Sequence, residues 1–205
     1  MGRVPPRALE QGELDGLCGI HSMINSLNWA LHSLRHSRSG ARRLAGQLKE
    51  KEREDIFGNA LRLLPHHRAG LSPVVDGVSG AELARLLKEC SAWVQAKRGL
   101  RLGISRPFYR QSNVTTGQLR LVLSEHLSKP GTAAIIGVEP PWQHWTVVVR
   151  VTAKRFTLLD SSGDSYLPLR KCGRPSGRQG GRLRTGNIFL LQISREKRRK
   201  MAFGQ

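Results

Sequence analysis

Three residues of this sequence are of the types that nucleophilic catalysis needs, and their surroundings set them up for it. Cys18 follows Gly16-Leu17 and stands immediately before the first strong helical pattern. A thiol at a helix N-terminus faces backbone N–H groups that have no intrahelical acceptor, at the positive end of the helix dipole. Both favour the thiolate, the form that attacks carbonyl carbon. His144 opens the apolar run 144–151, and Asp160 closes the run 155–160 that follows a turn near Thr152-Ala153-Lys154. Folded as an antiparallel hairpin, His144 and Asp160 fall opposite one another within one residue of register, with Cβ atoms about 5 Å apart. A carboxylate in that position holds the imidazole by Nδ1–H and leaves Nε2 to take a proton from a thiol. The oxyanion formed by attack needs two donors: the Cys18 amide and, upstream, Gln11, the one glutamine ahead of the cysteine. Glu13 lies nearer, but an ionised carboxylate repels an oxyanion. Each residue also has a plainer role open to it. Cys18 could be a small buried hydrophobe, Asp160 a turn-initiating residue before Ser161-Ser162-Gly163, and Gln11 a solvated loop residue.

These residues need elements to position them. Ile20, Ile24, Leu27, Leu31 and Leu34 recur at three- and four-residue steps, which predicts a helix that starts about Leu17 and ends near Arg35–Ser37. A second helical stretch is expected over 41–64, ended by Pro65, and a third from a Ser79/Glu82 capping box to about Lys97. A short strand is expected within 101–111. A fourth helix follows from Thr115, closed by Pro130-Gly131. Beyond Gly131 the period changes, and 132–138, 144–151, 155–160 and 187–193 read as strands. Helices followed by strands predict an α+β layout with an antiparallel sheet. Residues 1–193 are expected to form one domain and 194–205 a basic tail.

Composition narrows the classes. The 205 residues are 39% hydrophobic and 24% charged, enough for a core. The longest apolar runs are too short to cross a bilayer, so no membrane span is expected. The first fifteen residues hold no apolar stretch, so no Sec-type signal peptide is expected either. Three cysteines, Cys18, Cys90 and Cys172, do not make a disulfide framework and favour a reducing compartment, cytoplasmic or that of a host cell into which the protein is injected. Cys18-x-x-His21 lacks a second Cys/His pair at zinc-finger spacing, so no metal is expected, and His21 reads as a packing partner. His66-His67 reads as a solvated loop pair. Trp142 and Trp145 read as core or cleft wall, with Trp142 able to shape a subsite. Lys and Arg outnumber Asp and Glu by 34 to 15, a net charge of +19 that predicts an acidic partner. Segment 170–184, with six basic residues and no acidic ones, and the tail 195–200 could contact phosphates, which makes a nucleic-acid-binding module the rival reading. Aromatics are only 5% and none interleave with that segment, which argues against base stacking. The tail is also of the kind that serves as a nuclear address.

Taken together, Gln11, Cys18-Gly19-x-His21-x-x-x-Asn25, then His144-Trp145-Thr146-Val147 and Leu158-Leu159-Asp160-Ser161, resemble a papain-like cysteine peptidase. The order is that group's glutamine, cysteine, histidine, then Asp or Asn. Cys-Gly at a helix start and His-Trp-x-Val-Val running to Asp are similar to bacterial double-glycine leader peptidases. Cys-x-x-His-x-x-x-Asn and His-Trp-x-x-Val are similar to Josephin-type deubiquitinases. The resemblance covers some 20 residues at each of two places, about the cysteine and about the hairpin. It implies a helical lobe carrying Cys18, a sheet lobe carrying His144 and Asp160, and a cleft between them. It further implies cleavage of a peptide or isopeptide bond, without any metal or organic cofactor, in a glycine-rich leader or ubiquitin-like C-terminus. Transglutaminase-type enzymes use the same order of residues and pass the acyl group to an amine.

Overall fold

The helix that begins at Cys18 is the element around which the others are arranged. In the computed structural model, which describes residues 5–10, 16–35, 46–64, 77–111, 113–138, 143–172 and 183–195, α1 spans Cys18–Arg35. Thirteen of its 18 residues are buried, too many for a helix with one solvent face. Ile20, Ile24, Leu27 and Leu31 are essentially inaccessible, each contributing about 1.5–3 kcal/mol by burial. α2 (Glu50–Leu63) and α3 (Gly80–Arg98) pack beside α1. The Arg98 guanidinium grips the Glu52 carboxylate with two bonds, 2.9 and 2.5 Å, tying the end of α3 to the start of α2.

Six strands form one sheet: β1 (Leu100–Ser105), β2 (Thr132–Val138), β3 (His144–Val151), β4 (Arg155–Leu159), β5 (Tyr166–Pro168) and β6 (Leu183–Arg195). Their order is β1-β6-β2-β3-β4-β5, with every neighbouring pair antiparallel. All seven residues of β2 are buried, because helices cover both faces of the sheet. Ala133, Ile135, Val147, Phe189 and Leu191 face α1 and its neighbours. Ala134, Ile136, Val148, Ile188 and Leu190 alternate to the other face, where Leu119 and Leu123 of α4 (Thr116–Leu127) meet them. Gly131 enters β2 at φ +78°, and a Cβ there would stand 2.6 Å from the Ile193 carbonyl oxygen.

The chain is thus α+β with an antiparallel sheet, as its periodicities predict. No helix among the described residues is long and apolar enough to cross a membrane. Several details differ from the expectation. The second helix starts at Glu50, where the Glu52 carboxylate reaches back to accept from the Lys49 amide at 2.8 Å. Ahead of it Leu48 runs extended and buried, with its N–H donated to Asn28 Oδ1 (2.8 Å). The strand expected at 187–193 is longer at both ends, and pairs Ser194 and Arg195 with Arg101 and Leu100. β5 was not anticipated: three residues are too few to show a period. Within the segment 170–184, Leu169–Lys171 form a 3₁₀ turn and Leu183 and Arg184 belong to β6; residues 173–182 and the tail 196–205 lie outside the described residues.

Candidate active site

Cys18 is the first residue of α1, and the earliest intrahelical bonds, from the Ile20 and His21 amides, both end on the Leu17 carbonyl. The Cys18 and Gly19 amides therefore precede the helix's own hydrogen bonding. His144 is the first residue of β3, and the chain enters it through Gln143 at φ +36°. For a residue with a Cβ that backbone costs about 1–2 kcal/mol, so the entry to the histidine is strained. Asp160 follows β4 directly and is buried.

The three side chains meet. His144 Nε2 lies 2.7 Å from Asp160 Oδ1, and because a carboxylate only accepts, Nε2 carries the proton and donates. The Cys18 side chain stands close enough to the ring to add to the stabilisation of its charged form. Asp160 is fixed in turn by the Ser162 amide, which donates to Oδ2 at 2.9 Å. Burial by itself would strip the proton from the His144 ring. The bonds and charges of Asp160 and Cys18 outweigh burial and raise its pKa from 6.5 to about 10. Burial also works against the Asp160 carboxylate, yet the His144 ring and the Ser162 amide hold it below the usual 3.8. The site thus keeps an imidazolium beside the sulfur through neutral pH.

Two geometric expectations are corrected. The hairpin pairs Val147 with Leu159 and Val148 with Leu158, with a bulge between Val148 and Arg150. That register sets Asp160 diagonally from His144, two residues along, rather than directly opposite. Diagonal neighbours stay within reach of a long side chain, but the far ring nitrogen must do the reaching. Asp160 therefore holds Nε2, not Nδ1.

A set of polar contacts that the sequence reading missed fixes α1 against its surroundings. Ser22, one turn beyond Cys18, donates its hydroxyl to the Trp145 carbonyl at 2.8 Å, and both residues are buried. The Trp145 indole N–H donates to the Val78 carbonyl at 2.6 Å. The Val78 side chain packs so closely on Gly19 that a Cβ there would stand 2.8 Å from Val78 Cβ. Asn25 accepts from the Leu9 amide at 2.8 Å and donates to the Leu9 carbonyl at 3.4 Å. The lead-in chain is thereby anchored two positions before Gln11. The signal for these contacts was present: Ser22, Asn25, Ser26 and Asn28 interrupt an otherwise apolar helix and are all buried.

Of the other candidates, Gln11, Glu13, His66, His67 and Trp142 lie outside the described residues. His21 stacks edge-on against Phe57, ring centroids 5.5 Å apart. Trp145 is a wall between Val78 and Phe189. All three cysteines are buried, Cys18 included, and at Cys90 and Cys172 burial pushes the thiols up to about 12. Among the described residues no cluster of three or more His, Cys, Asp or Glu side chains could hold a metal ion. No protein-family model matches the chain, and neither a curated protein nor a solved structure shows significant similarity to it.

Proposed function

We propose that this protein is a papain-like cysteine hydrolase that cuts a peptide or isopeptide bond through a thioester. The observation that carries the reading is the His144 ring joined on one side to Asp160 and on the other to the sulfur at the N-terminus of α1. Cys18 attacks the carbonyl carbon as thiolate, and the Cys18 amide donates to the oxyanion, with Gln11 as the second donor. His144 gives its proton to the leaving amine, and the C–N bond breaks. The neutral ring then takes a proton from water, whose oxygen attacks the thioester, and release of the carboxylic acid with departure of the sulfur restores the thiolate and imidazolium pair. Asp160 orients the ring and stabilises its positive charge throughout. The net charge of +19 favours a substrate with an acidic surface.

An activated ester tests the chemistry without knowledge of the substrate. p-Nitrophenyl acetate is expected to give a burst of one nitrophenolate per protein and an acetyl group on Cys18, seen by mass spectrometry. Cys18→Ala abolishes the burst, and His144→Ala slows it. An equal burst in Cys18→Ala ends the proposal. Adding a primary amine separates the transferase alternative: a hydrolase releases acetate, a transferase forms the acetamide.

A further inference from the structure

We infer that Ser22 is a positioning residue for the Cys18–His144 pair, setting the gap between the helix that carries the sulfur and the strand that carries the ring. The inference rests on the proposed reading of the site and extends it to a residue outside the three.

The two reacting groups sit on different elements, α1 and β3, far apart in the chain. Apolar packing between a helix and a sheet is non-directional, and side chains can slide by fractions of an ångström at little cost. Proton transfer between sulfur and nitrogen does not tolerate such sliding, and a misplacement of about 1 Å can cost on the order of a hundredfold in rate. A directional bond between the elements removes that freedom. Ser22 supplies one. It lies four residues after Cys18, on the same face of α1, and its hydroxyl donates at 2.8 Å to the carbonyl of Trp145, the residue next to His144. The bond spans 123 residues of sequence and is buried, so water does not compete for either group.

The strand end is held from the other direction too. The Trp145 indole donates to the Val78 carbonyl at 2.6 Å, and the Val78 side chain rests on Gly19, next to the cysteine. The path therefore closes on itself: Cys18, Ser22, Trp145, Val78, Gly19. Two hydrogen bonds and one close packing contact fix the strand's first residues against the helix's first turn. A buried serine needed only for helix stability would bond within its own helix, as Ser26 does to the Met23 carbonyl.

The experiment compares wild type with Ser22→Ala, Ser22→Thr and His144→Ala, reading two quantities. One is the rate at which iodoacetamide alkylates Cys18 at pH 6, and the other is the pH at which the His144 ring titrates by NMR. Ser22→Ala is expected to slow alkylation on the order of tenfold and to lower the ring's titration point, because the sulfur's share of its stabilisation is lost. Ser22→Thr keeps the hydroxyl and is expected to stay near wild type in both, even if the extra methyl lowers its melting temperature. A folded Ser22→Ala protein with wild-type rate and titration overturns the inference. Should Ser22→Ala not fold, Trp145→Phe decides: it removes only the indole bond to Val78, is expected to slow alkylation by a smaller factor, and a wild-type rate there overturns the inference. If His144→Ala leaves alkylation unchanged, the reading of the site itself fails. If His144→Ala slows it and folded Ser22→Ala does not, only the role of Ser22 is lost.

Discussion

Replacing Asp160 by Asn keeps the shape of the side chain and removes its charge, so it isolates what the carboxylate does to His144. The ring's pKa of about 10 against an ordinary 6.5 corresponds to roughly 5 kcal/mol in favour of the imidazolium, at about 1.4 kcal/mol per unit. Burial opposes that preference, so the attractive contributions of Asp160 and Cys18 together exceed it. A carboxylate at hydrogen-bond distance is worth roughly 1–3 units, and His144 Nε2 lies 2.7 Å from Asp160 Oδ1. The ring in Asp160→Asn is therefore expected to titrate between about 7 and 9. The assay is an NMR titration of the His144 ring proton, assigned by its disappearance in His144→Gln. Near pH 9 the wild-type ring is mostly charged and the variant's is at least half neutral, so the leaving amine loses much of its acid there and any alkaline limb of turnover moves down with the ring. A wild-type ring titrating near 6.5, or a variant ring still near 10, would refute the argument that Asp160 holds the proton.

Four further outcomes are expected. Gly19→Ala places a methyl 2.8 Å from Val78 Cβ; since that contact is not the tip of a flexible chain, chemical denaturation should show a loss of about 1–3 kcal/mol, and unchanged stability would show that the contact yields freely. Stability should depend on pH through the His144–Asp160 pair. The raised His144 value contributes fully below 6.5 and is lost as pH rises through about 10, whereas the lowered Asp160 value contributes fully above 3.8 and is lost as pH falls through its depressed value. His144→Gln should flatten the alkaline side of that profile. At pH 8 a thiol at about 12 is ionised about once in ten thousand, so one equivalent of iodoacetamide should mark Cys18 and spare Cys90 and Cys172; equal labelling would remove any claim of special activation. Affinity for an acidic partner should fall with salt, and a flat response between low and moderate ionic strength would dissociate the +19 charge from recognition.

Much of the scaffold was legible in the sequence because burial imposes periods on it. The apolar steps from Ile20 to Leu34 mark α1 to its last residue, and the runs 132–138 and 144–151 match β2 and β3. The meeting of His144 and Asp160 was legible for another reason: the turn at Thr152 that joins their strands is local. The Thr152 amide does bond back to the Arg155 carbonyl at 3.0 Å. What the turn does not reveal is the bulge between Val148 and Arg150 or the two-residue offset that follows. Register depends on which residues the helices cover, which is tertiary information. That offset decided which ring nitrogen meets the carboxylate.

The partners of the polar residues of α1 were illegible for a deeper reason. A helix periodicity records which positions avoid water, and Ser22, Asn25, Asn28 and Ser33 do not contribute to it. Yet each holds a different piece of chain. Ser22 binds the Trp145 carbonyl, Asn25 the Leu9 backbone, Asn28 the Leu48 amide and Ser33 the Gly131 amide. Their partners are backbone groups, the one kind of partner that leaves no trace in residue identity. A buried amide or carbonyl left unpaired costs about 1–3 kcal/mol. Short polar side chains on a central helix remove that cost and at the same time fix the helix in space. A site split between α1 and β3 depends on that fixing more than on the number of apolar contacts, because only directional bonds hold a sulfur and an imidazole at one distance.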